Sequence, residues 1–118
     1  MAQAAVGIDG NEGGTAIDRA HLKRMTFGDR ALEREVLQLF ERQAAVLIER
    51  MRSGDAAAIA TLAHTLKGSA LGIGAGGVAQ AARAVEAAAT PQDTNLAIDR
   101  LAEAITAARA SIAALLRA

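Results

Sequence analysis

Three short breaks constrain this chain more than anything else in it. "SGD" at 53–55, "GIGAGG" at 72–77 and "TPQD" at 90–93 cut it into stretches that each carry a helical period. In the stretch 31–52, Leu32, Val36, Leu39, Phe40, Leu47 and Met51 form an apolar stripe, with Arg34, Gln38, Glu41, Arg42, Glu49 and Arg52 on the other side. The next stretch, 56–71, sets Ile59, Leu62, Ala63, Leu66 and Ala70 along one face. A third, 78–89, is mostly alanine, with Val78 and Val85 its only larger apolar residues. The last, from Pro91 to the C-terminus, carries Ile98, Leu101, Ile105, Ala108, Ile112 and Leu115. Asp29, Asp55 and Thr90 precede these stretches as N-caps, and Pro91 suits a first helical turn.

A shorter helix is expected before them. "TAIDRAHLKRM" places Thr15 three residues ahead of Asp18, resembling a capping box, and ends near Met25 at "TFGD". The fold class expected is all-α: an antiparallel up-down four-helix bundle with a short additional N-terminal helix, because short turns favour antiparallel neighbours. The domain is expected over 15–118. Residues 1–14, "MAQAAVGIDGNEGG", read as a disordered tail without the basic start and long apolar core of a signal peptide.

Composition narrows function. Formal net charge is zero, so no global basic field draws nucleic acid or anionic lipid. Cysteine is absent, which removes disulfides, thiolate nucleophiles and thiolate metal sites, and suits the cytoplasm. No apolar run approaches the ~20 residues that cross a bilayer.

Within "LAHTLKGSALGIGAGG" (62–77), His64 lies opposite Leu62 and Leu66 at about 100° per residue, on the polar side of its helix. Ala60 and Gly68 flank it one turn away, and Lys67 shares its face. Glycine in an exposed helix interior costs roughly 1 kcal/mol relative to alanine, so Gly68 points to a need for space beside the ring. A bare imidazole with a reference pKa near ~6.5 is a nucleophile at neutral pH. A cation one turn away would matter most if that ring acquired negative charge, as on phosphorylation.

These residues resemble the signature of histidine-containing phosphotransfer (HPt) domains, in which lysine follows the phosphorylatable histidine at plus three. Glycine follows at plus four, a small residue at plus five and a second glycine at plus ten. His64, Lys67, Gly68, Ser69 and Gly74 match in order. The likeness covers about 18–118, including "GVAQAARAVEAAA" after the motif. It implies a phosphorelay intermediate, with His64 as phosphoryl acceptor, Lys67 stabilising charge, Gly68 giving steric access, and Ser69 and Gly74 in support. The donor and acceptor would be aspartates of response-regulator receiver domains, one from a hybrid histidine kinase and one downstream. Mg²⁺ would sit on the receiver. The chain itself would need no cofactor or metal, would have no kinase activity and would act as a monomer away from membrane and nucleic acid. No phosphate-binding loop of the form G-x-x-x-x-G-K-[ST] is present, in keeping with that.

Other classes fit less well. A sensor-kinase dimerisation helix usually carries an acidic residue just after its histidine and a proline five residues on, where this chain has Thr65 and Ser69. General-base catalysis needs an orienting carboxylate, and none lies within one helical turn of His64. The other histidine, His21, falls in the short first helix and reads as a surface or staple residue. A helical adaptor without chemistry is the remaining alternative.

Overall fold

A computed structural model describes residues 16–117. The tail expected over 1–14 lies outside them, as do Thr15 and Ala118. The described residues form five helices: α1 Arg19–Met25, α2 Arg30–Ser53, α3 Ala56–Ile73, α4 Gly76–Ala87 and α5 Pro91–Arg117. Among the described residues there is no strand, and no helix is long and apolar enough to cross a membrane.

The caps explain most of the boundaries. Asp29 and Asp55 accept from the backbone N–H groups of Leu32 (3.0 Å) and Ala58 (2.9 Å), opening α2 and α3. Thr90 Oγ1 accepts from Asp93 N–H at 3.0 Å at the start of α5. Each satisfies a backbone donor that the first helical turn leaves without a partner. At α1 the cap is Asp18, whose Oδ1 accepts from His21 N–H at 3.0 Å.

The helices pack in a ring: α2 meets α3 and α5, and α4 meets α3 and α5, while α1 lies on α3. Arg52 and Asp99 add an exposed ion pair at 3.1 Å between α2 and α5. The interior holds Phe40, Leu47 and Met51 of α2, Ala63, Leu66 and Ala70 of α3, Val78, Ala82 and Val85 of α4, and Ile98, Leu101, Ile105 and Ile112 of α5. The α2 stripe differs from its sequence reading at one point. Leu39 is 56 % exposed, and Leu37 is buried in its place. The spacing 37, 40, 44, 47, 51 alternates threes and fours and stays on one line. Leu39 stands about 100° off that line beside Phe40.

The glycine-rich segment also departs from expectation. Helix α3 does not stop near Leu71 but runs through Gly72 to Ile73, whose side chain is buried. Gly74 then ends it in the left-handed region (φ 80°). Its N–H and that of Ala75 donate to the carbonyls of Leu71 (3.3 Å) and Ala70 (2.8 Å), a Schellman closure. Burial of Ile73 outweighs the poor helix propensity of Gly72. Helix α4 accordingly starts at Gly76, two residues earlier than expected, and ends at Ala87. Asp18 N–H donates to Gly74 O at 2.8 Å, which docks the start of α1 on the end of α3.

Candidate functional site

His64 sits at the middle of α3 with its side chain 70 % exposed, as its position opposite Leu66 requires. Thr61 and Thr65, its neighbours on that side, turn their hydroxyls to the carbonyls of Ala57 and Thr61, both at 3.1 Å. Their donors are thereby used on the helix itself, and neither competes for the ring.

The partner of the ring comes from α4. His64 Nδ1 lies 3.0 Å from Glu86 Oε2, and Lys67 Nζ lies 2.8 Å from Glu86 Oε1. One carboxylate thus joins two residues of the neighbouring helix, one oxygen to each. The Lys67 ammonium first, and the His64 ring second, hold the Glu86 carboxyl below its ordinary value, against a smaller opposing effect of desolvation. Glu86 is therefore a carboxylate at neutral pH and can only accept a hydrogen bond. Nδ1 must then carry the proton, and the lone pair of the neutral ring is on Nε2.

Sequence reasoning missed Glu86. Counting along α3 finds no acid near His64, and the carboxylate arrives across the helix interface instead. A signal was present: Glu86 is the single acidic residue of α4, in a segment otherwise built from alanine, glycine and valine with Gln80 and Arg83. It follows the buried Ala79 and Ala82 by seven and four residues, which puts it on the edge of the stripe α4 turns inward. The objection to acid–base chemistry, that His64 lacks an orienting carboxylate, holds only within its own helix.

The other motif residues separate. Lys67 is on the same face, but its side chain is only 21 % exposed and paired with Glu86 rather than free in solvent. At Gly68 an added Cβ would meet no heavy atom within 4 Å, so the surface beside the ring is open. Ser69 is half-buried, about 140° around the helix from His64, away from the ring. Gly74 lies ten residues on, about 15 Å along the axis, at the docking point of α1. His21 caps onto Asp18 through its backbone in α1 and takes no part in the His64 cluster. Among the described residues, no group of three or more His, Cys, Asp or Glu side chains could hold a metal ion.

His64 thus presents an exposed imidazole on a helical bundle, with one ring nitrogen held by a carboxylate of the neighbouring helix. A family model, the Hpt domain, matches residues 35–115, and the chain belongs to that family of histidine phosphotransfer modules in phosphorelay signal transduction. No curated protein and no solved structure matches it.

Proposed function

We propose that His64 is the phosphoryl acceptor. In this reading the chain takes the group from a receiver-domain aspartate and hands it to the aspartate of a second receiver domain. The observation that carries it is the exposed His64 ring, with Nδ1 on Glu86 and Nε2 left free. The Nε2 lone pair attacks phosphorus, and the receiver aspartate departs as a carboxylate. Such transfer depends chiefly on positioning and charge neutralisation, so a nucleophile on a rigid helix is a sufficient contribution. Mg²⁺ belongs to the receiver, and the chain brings neither a cofactor nor a kinase activity of its own. Lys67 offsets charge on the incoming group, and Gly68 leaves room for the receiver. Ser69 and Gly74 support the helix. The ring of helix contacts and the short turns support an antiparallel up-down arrangement, working as a monomer in the cytoplasm on receiver partners, apart from membrane and nucleic acid.

The test is labelling by a phosphorylated receiver domain. His64→Gln should abolish acid-labile phosphorylation with helicity intact, since the ring is outside the core. His21→Gln should label as the wild type does. Full labelling of the His64 variant would overturn the assignment.

A further inference from the structure

Resting on the phosphotransfer reading above, we propose that Glu86 sets how readily phosphorylated His64 releases its phosphoryl group, by holding the proton on Nδ1 once the N–P bond has formed. The balance of the step makes the proton decisive. Before transfer the ring is neutral, with hydrogen on Nδ1 and the lone pair on Nε2. Forming Nε2–P uses that pair and breaks the P–O bond to the receiver aspartate, so the ring becomes a phosphorylated imidazolium cation. On release the N–P pair returns to Nε2, and the ring departs as neutral imidazole if Nδ1 still carries its hydrogen. If that hydrogen has gone to solvent, the departing group is an imidazolate anion. A strongly basic anion of that kind is a poor leaving group, and the phosphoryl group stays where it is.

Glu86 Oε2, 3.0 Å from Nδ1, is placed to favour the cation. Its negative charge lies beside the ring nitrogen that holds the proton, whereas the phosphoryl oxygens would lie beyond Nε2 on the far side of the ring. Attraction to the near cation therefore outweighs repulsion of the distant anion. Lys67, 2.8 Å from Oε1, keeps the carboxylate ionised and fixes which oxygen meets the ring. The other charges nearby are few. Arg83 stands exposed one turn before Glu86 on α4. Helix α2 packs on the apolar side of α3, away from the ring, and α1 docks at Gly74, about 15 Å along the axis. Glu86 is a positioning residue, acting through Nδ1 and not on phosphorus.

The experiment uses the chain, its Glu86→Gln variant and phosphoramidate as a direct donor, so that no receiver is needed for loading. Glutamine retains an acceptor oxygen for Nδ1–H but not the charge. Loading is followed in parallel for both chains, so that any effect of the substitution on attack by Nε2 is separated from its effect on release. After removal of donor, loss of phosphoryl to a fresh receiver domain is followed as a function of pH by ³¹P NMR. On the acid side the two chains should coincide, because solvent keeps both rings protonated. On the alkaline side the variant should fall behind by up to about fivefold, the ratio expected for an exposed charge-assisted contact. The ¹⁵N signal of Nδ1–H in the phosphorylated ring should persist to higher pH in the wild type. Coincident pH profiles overturn the proposal and leave His64 the acceptor, and so does a variant slowed equally at every pH. Absence of label on the wild-type chain overturns the phosphotransfer reading itself.

Discussion

Gly68 lies within α3 and Gly74 closes its end six residues on, and they are glycine for opposite reasons. At Gly74 the fold demands it. The backbone is left-handed there, and an added Cβ would come within 2.9 Å of Asp18 O and 3.0 Å of Asp18 Cβ, where α1 meets the end of α3. At Gly68 the fold demands nothing. The residue lies inside a regular helix, with nothing within 4 Å of an added Cβ. One is explained by contacts inside the molecule; the other gains nothing from any, and in the proposed function it leaves room for a docking partner. Position in a motif does not tell the two apart.

Substitutions can break that contrast. Of the two glycines, the larger effect on chemistry is expected for Gly68→Gln, which should lower receiver-dependent labelling about a hundredfold by displacing the docking partner from the ring, while Tm stays within a few degrees. Transfer at the wild-type rate would show that glycine is not there for access, and unfolding would show that Gly68 packs against something. The largest effect on stability is expected for Gly74→Ala. A left-handed alanine costs about 1–2 kcal/mol, and the approach to Asp18 adds to it, so Tm should fall on the order of 10 °C. The folded fraction should still label His64, and an unchanged Tm would remove the distinction.

Two smaller effects sharpen it. Lys67→Ala removes the main cause of the lowered Glu86 value, so that carboxyl should titrate closer to its ordinary range by ¹³C NMR. The sign follows: a lowered folded value gives stability that is present above the ordinary carboxylate range and lost as pH falls through the folded value, and the variant keeps only the part of this dependence that His64 supplies. Phosphoryl transfer should slow about two- to fivefold, as a single ion pair at the edge of a helix interface contributes little. An unchanged transfer rate and an unmoved Glu86 titration would return Lys67 to the role of a solvated charge. Gly68→Ala should raise stability by at most about 1 kcal/mol, seen as a Tm a few degrees higher, with transfer close to wild type.

How much was legible in the sequence can be read from particular residues. Asp29, Asp55 and Thr90 were recognisable as caps because capping is local: a short polar side chain reaches a backbone N–H three residues on. The stripe of α5 was legible because a long amphipathic helix repeats its phase many times. Leu39 was misplaced because two adjacent apolar residues, Leu39 and Phe40, leave the phase of α2 open, and packing against α3 and α5 settles it. The end of α3 was misjudged because glycine propensity is a small energy, and burying Ile73 exceeds it.

His64, Lys67 and Gly68 share a face through the helical repeat alone, so their relation is a property of the sequence. The third member of the cluster is not. Glu86 follows His64 by twenty-two residues and enters only because α4 packs against α3 with the edge of its alanine stripe turned to the ring. Helical periodicity fixes neighbours within one segment, but the relative rotation of two helices is a matter of side-chain packing between them. The sequence determined which imidazole stands on the surface; the tertiary structure decided which of its nitrogens meets a carboxylate.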